Sequence, residues 1–204
     1  MKTATVKDLI DLARAQLGVK ECPANSNKVK YNTWYYGRDV SGAAYPWCMV
    51  FVQWCCAQVG VELPTRTASC TALMNAAKKA GMWVTSDYRP GDISIYDWGG
   101  DKVPDHCGII TQETPGGYLC IEGNTAVGND SNGGEVMERI RPVKSILGAV
   151  RPVYVAVLPE AVQWAVDNGI MQGNTSGDLM LDNALTRRQF VTMLHRYAKV
   201  DGKA

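Results

Sequence analysis

The sequence predicts an α+β domain followed by a small all-α module. Three observations carry this. Helical patterns of apolar residues fill the first part of the chain, up to Gly81. From Arg89 onward, strand-like alternation and hairpin turns take over. After Pro152 the pattern returns to two short helices around a Gly- and Ser-containing loop. The boundary divides the chain into residues 1–153 and residues 154–204.

The chain has 204 residues, room for one ordinary domain and a small second one. Apolar residues make up 46%, which is enough for a packed core. The net charge of +1, with no basic block, argues against a nucleic-acid partner, which needs a concentrated basic face. No run approaches the roughly 18 apolar residues of a membrane-spanning helix, so no membrane span is expected. The stretch Met1–Asp8 turns polar at once and lacks a hydrophobic signal core. The expectation is synthesis in the cytoplasm, with delivery by some other route.

The seven cysteines are an odd number, with no C-x-x-C pair, and Cys55-Cys56 is a vicinal pair inside an apolar run. This pattern predicts thiols that are mostly reduced and buried. Cys48, Cys70, His106 and Cys107 match no standard zinc spacing, so neither a metal nor any other cofactor is expected.

In chain order, Thr5 to Leu17 reads as an amphipathic helix capped by Thr5 and closed by Gly18, with Val6, Leu9, Ile10, Ala13 and Leu17 on one face. Glu21 to Gly42 is turn-rich and aromatic. It reads either as a loop lining a substrate cleft, through Tyr31 and Trp34, or as a loop folded onto the core. The neutral oxygens of Asn25, Asn27 and Asn32, interleaved with lysines, do not suit calcium. Pro46-Trp47-Cys48 opens an unbroken apolar run ending at Gly60, a buried helix with Cys48 at its N-terminus. A thiolate is favoured there by unpaired N–H groups and the helix dipole. A further helix is predicted over Thr67–Ala80. Strands follow at Ile93–Trp98, His106–Gln112 and Tyr118–Thr125, with others around Glu135–Ile140 and Gly148–Val157. The turn Thr114–Gly117 makes His106–Gln112 and Tyr118–Thr125 a hairpin.

His106 opens one of those two strands, and Glu122 and Asn124 lie on the other. Two residues apart in a strand, Glu122 and Asn124 share a face. If the hairpin sets them opposite His106 and the Cys48 helix packs there, a thiol nucleophile, an imidazole base and an orienting carboxylate come together. Asn124 either shares the orienting role or binds substrate. The backbone N–H of Cys48 is an oxyanion donor.

Trp47-Cys48 at a helix start, Pro90-Gly91-Asp92, His106-x-Gly108-Ile109 and Ile121-Glu122-Gly123-Asn124-Thr125 together resemble the CHAP domain, the cysteine, histidine-dependent amidohydrolase/peptidase family. The resemblance runs from about Val6 to Arg151. It implies a papain-like fold and peptidoglycan hydrolysis, with Cys48, His106, Glu122 and Asn124 as catalytic residues. Trp47, Tyr31 and Trp34 are the aromatic candidates for contact with substrate. The D-x-D-type calcium loop of some relatives is missing, and calcium is not carried over. The polar N-terminal stretch is similar to that of phage endolysins, which reach the wall through a holin-made lesion.

The tail reads as a helix over Pro159–Gly169, a loop at Gly173–Asp178, and a helix from Thr186 to about Lys199. Thr186 and Gln189 form a capping-box pattern, and Phe190, Val191, Leu194 and Tyr197 are expected to face inward. Trp164-Ala165, Gly169-Ile170-Met171 and Leu185-Thr186-Arg187-Arg188-Gln189-Phe190 resemble one S-layer homology repeat. That resemblance implies binding to an anionic secondary cell-wall polymer through Arg187, with Arg188 as the alternative. Such modules usually come in triplicate. A single one buries little surface alone, so packing on the first domain or homo-oligomerisation is expected. A helical pair that only stabilises the first domain is the competing reading.

The expected function is that of an endolysin cutting an amide bond in peptidoglycan, with the muramoyl–L-alanine amide favoured over a stem or cross-bridge peptide bond. The expected partners are peptidoglycan and a wall polymer. A non-catalytic wall-binding protein is the rival from another class.

Overall fold

The computed structural model describes residues 4–154, 160–174, 179 and 184–201. They fall into two compact units, one within Met1–Val155 and the other within Ala156–Ala204.

The first unit begins with helix α1 (Val6–Arg14). Thr5 caps it: the Asp8 N–H donates to Thr5 Oγ1, and the Thr5 N–H donates back to the Asp8 carboxylate. The helix buries Leu9, Ile10 and Ala13 but stops at Arg14, short of the predicted end. Leu17 is exposed, and Gly18 stands at φ +80° in the turn that follows. Helix α2 (Lys30–Tyr36) lies within the stretch expected to be a loop. It has no side-chain cap and ends at Gly37 in the left-handed region. Tyr31 has no exposed surface, with its ring 5.6 Å from Trp47 and 5.1 Å from both Phe51 and Trp54. Tertiary burial therefore holds this short helix, which has little propensity of its own.

Helix α3 (Cys48–Val59) is apolar on almost every side and is the central helix of the unit. It packs on the sheet and against α1 and α2. Gly60 ends it at φ +83°. Helix α4 (Cys70–Lys79) is capped by Ser69, whose Oγ accepts the Ala72 N–H at 3.2 Å.

The strands are β1 (Trp83–Val84), β2 (Ile93–Tyr96), β3 (His106–Thr114), β4 (Gly117–Thr125), β5 (Glu135–Arg141) and β6 (Ile146–Val150). They form one antiparallel sheet in the order β1-β6-β2-β3-β4-β5. With the helices at the start of the chain, this is the α+β arrangement predicted from the sequence. β6 stops at Val150. The last residues of the predicted Gly148–Val157 strand lie partly outside the described residues.

One face of the sheet carries Ile93, Ile95, Ile109 and Ile121 into a core shared with Leu9, Trp47, Phe51 and Leu73. The other face holds a smaller cluster of Tyr88, Tyr96, Ile110, Tyr118, Cys120 and Ile146. The Pro90-Gly91-Asp92 motif is a structural turn. Asp92 is buried, accepts the Arg89 N–H at 2.8 Å, and is gripped by the Arg151 guanidinium at 3.0 and 2.8 Å. Tyr154 Oη donates to the Gly91 carbonyl at 2.6 Å.

The second unit contains α5 (Glu160–Asp167) and α6 (Arg187–Val200). Gly169 follows α5 at φ +68°. The capping box on α6 is present: the Thr186 N–H donates to Gln189 Oε1 at 2.9 Å, and the Gln189 N–H donates to Thr186 Oγ1 at 3.2 Å. The side chains expected to face inward do not. Phe190, Val191, Leu194 and Tyr197 are 44–62% exposed. A unit this small lacks the surface to cover them. Most of the predicted loop Gly173–Asp178 lies outside the described residues.

Candidate active site

Cys48 is the first residue of α3 and has 7% exposure. Trp47 before it provides no side-chain cap, so the first-turn N–H groups stay available at the end where the thiol stands. The Cys107 and Cys70 thiols, with their sulfurs within 4.8 Å, favour its charged form. Burial opposes the charge, and the His106 imidazole favours it. The net result holds the Cys48 thiol well below its ordinary range. Cys56, deeper in the same helix, shows what burial alone does, since its thiol is pushed up to about 12.

His106 opens β3 and is fully buried. Its Nε2 lies 3.2 Å from Glu122 Oε2, an ion-pair contact rather than an aligned hydrogen bond. Burial alone would lower its pKa. The Cys48 thiolate and the Glu122 carboxylate overcome that and raise it to about 9. Tyr96 stacks near the imidazole at 6.0 Å, and Trp98, itself stacked on Tyr96, lies 6.5 Å from it.

Glu122, in β4, is held from the other side. Arg141 of β5 grips it with a two-point fork: Nε donates to Oε1 at 2.7 Å and Nη2 donates to Oε2. Burial works against the carboxylate charge. Arg141 and His106 outweigh it and keep the group below its ordinary value. Arg141 Nη1 also donates to Asp130 Oδ1 at 2.9 Å, and its guanidinium lies over Trp98. A chain of charges thus runs from Asp130 through Arg141, Glu122 and His106 to Cys48.

Two glycines make room for this chain. A Cβ on Gly108 would lie 2.7 Å from Glu122 Cγ and 2.9 Å from Tyr96 Oη. A Cβ on Gly123 would lie 2.6 Å from Phe51 Cβ, so this glycine lets α3 press onto β4.

Several sequence-based expectations are corrected. Asn124 does not join Glu122 at the imidazole. It adopts φ +60° where the β4–β5 register shifts, which breaks the alternation that would align it with Glu122. Its amide is spent on a loop: Nδ2 donates to Asn132 Oδ1 and Oδ1 accepts the Gly134 N–H, both at 3.1 Å. Tyr31 and Trp47 have no exposed surface and are core residues that cannot touch a substrate. Trp34 is half-buried beside a pocket of about 140 Å³ lined by Gln53, Ala57, Leu63 and Arg66, with none of the catalytic candidates in its wall. In the second unit, a pocket of about 560 Å³ is lined by Arg188 and Arg196 among others, and Arg187 is not in its wall. Arg141, Asp130 and Trp98 were missed. The only sequence signal for Arg141 was its strand pattern near Glu135–Ile140.

A buried thiol, an imidazole and a carboxylate in this order have the arrangement of nucleophile, base and orienting group. The CHAP domain family matches residues 40–124, a segment that contains Cys48, His106 and Glu122. The match suggests a cysteine- and histidine-dependent amidohydrolase or peptidase acting on peptidoglycan. No curated protein matches the chain.

Proposed function

We propose that the protein is a peptidoglycan hydrolase of the endolysin type that uses Cys48 as nucleophile. The observation that carries this reading is the Cys48–His106–Glu122 arrangement at the uncapped start of α3. The resting pair is a thiolate and an imidazolium. Cys48 Sγ attacks the amide carbonyl carbon, and the oxyanion meets backbone N–H at the helix N-terminus. His106 gives its proton to the leaving amine nitrogen, leaving an acyl-enzyme. A water then attacks, losing a proton to His106, and the thiolate departs. Glu122 keeps the ring in place and favours its charged form, and Arg141 positions Glu122.

The bond we assign is the N-acetylmuramoyl–L-alanine amide. A cut in the stem peptide or cross-bridge would use the same residues. The second unit, by its resemblance to an S-layer homology repeat, is assigned to a secondary cell-wall polymer, with Arg188 and Arg196 of its pocket as the anion contacts. Action at the bacterial wall follows release from the producing cell by a holin-type lesion.

Digestion of purified peptidoglycan, with mass spectrometry of the soluble products, tests the bond. New L-alanine N-termini with peptide-free glycan are expected. New termini inside the stem or bridge would replace the amidase assignment by an endopeptidase.

A further inference from the structure

The spacing of Cys48, Cys70 and Cys107 along the chain matched no zinc pattern, yet the fold brings their three sulfurs within 4.8 Å of one another. In a tetrahedral zinc–thiolate centre the sulfurs stand about 2.3 Å from the metal, and so roughly 3.8 Å apart. Each pair here needs to close by at most about 1 Å to reach that geometry.

We propose that Cys48, Cys70 and Cys107 form a site for one thiophilic divalent cation of the zinc class, and that its binding occupies the nucleophile and holds the enzyme inactive. The three residues come from different elements. Cys48 opens α3, Cys70 opens α4 and Cys107 follows His106 in β3. A divalent ion on three thiolates carries net charge −1, and two helix N-termini meet at the cluster, the ends that favour negative charge. Binding to a Cys48 thiolate and two thiols forms three metal–sulfur bonds and releases two protons to solvent.

A second observation points to the same ligand. His106 Nδ1 is fully buried and has no hydrogen-bond partner among the described residues, while its ring lies against Cys48. It lies outside the set of ligand atoms within 4.8 Å of one another, so it would have to turn toward the ion to take the fourth position, and its other nitrogen faces Glu122, the carboxylate–histidine pairing that supports metal ligands. Cys48 and Cys70 retain 7% and 8% exposure, and Cys107 has none. The other buried cysteines, Cys55, Cys56 and Cys120, are not part of the cluster.

The loss of hydrolysis rests on the function proposed above, whereas metal binding does not. The full chain, reduced and freed of metal with a chelator, is titrated with Cd²⁺ and followed by thiolate-to-metal charge-transfer absorption. The expected result is a band that saturates at one equivalent. Peptidoglycan hydrolysis should fall in step with the band and return on adding chelator. Cys70→Ser and Cys107→Ser should each weaken Cd²⁺ binding at least tenfold in the same titration. Absence of a band from the parent protein at one equivalent would overturn the proposal, and so would parental affinity in both variants. A saturating band on a protein that hydrolyses no wall would uphold the metal site while removing the proposed function.

Discussion

His106 sets the pH behaviour of the proposed reaction. The active form is a thiolate beside an imidazolium. With Cys48 held below the ordinary thiol range and His106 raised to about 9, kcat/KM in the presence of chelator is expected to stay high through neutral pH. It should fall on the alkaline side as His106 loses its proton near 9. Glu122→Gln removes one of the two charges that raise His106, so the alkaline limb should move to lower pH. A profile unchanged by that substitution would show that Glu122 does not act on the ring. Arg141 is a positioning residue. Arg141→Ala leaves a buried carboxylate without its main partner, which should cost about 3 kcal/mol of stability, read from denaturant unfolding. Arg141→Lys should restore little of it, because an ammonium cannot make the two-point fork. The grouping of Cys48, His106 and Glu122 was legible in the sequence because residue type marks the candidates and a period of two sets which face of a strand they share. Arg141 was not, since the pairing of β5 with β4 brings it to Glu122 across 19 positions of chain. Asn124 was misread because its left-handed backbone is invisible to a period-two argument.

At the scale of the elements, the site depends on how closely α3 meets β4. Gly123→Ala drives a methyl group into Phe51 and Trp47. The expected cost is about 1–3 kcal/mol, with reduced hydrolysis because α3 must retreat and take Cys48 with it. Equal stability and activity in this variant, measured by thermal melting and wall digestion, would show that the close approach is not required. Gly108→Ala acts on the other partner, pushing directly on the Glu122 stem. The positions of α3, α4 and strands β2 to β6 were readable from apolar runs, glycine stops and hairpin turns, whereas the two-residue β1 was not. Helix α2 was hidden, because its stretch reads as turns and aromatics and only burial of Tyr31 against Trp47 and Phe51 makes it helical. The gathering of Cys48, Cys70 and Cys107 was hidden for the same reason, since three distant elements supply one sulfur each.

At the scale of the whole molecule, no helix among the described residues is long and apolar enough to cross a membrane. The exposed row Phe190, Val191, Leu194 and Tyr197 on α6 is an apolar surface that water disfavours. The chain is therefore expected to self-associate, and Leu194→Glu is expected to shift it toward monomer in size-exclusion chromatography with light scattering. A parent protein that is already monomeric at high concentration would remove this expectation. The central claim is that Cys48 cuts peptidoglycan. It is tested most directly by digesting purified walls with the parent protein and with Cys48→Ala, under chelator, and measuring soluble products. The parent should release them, and the variant should be slower by about 10³-fold or more. Equal release by the two would contradict the account.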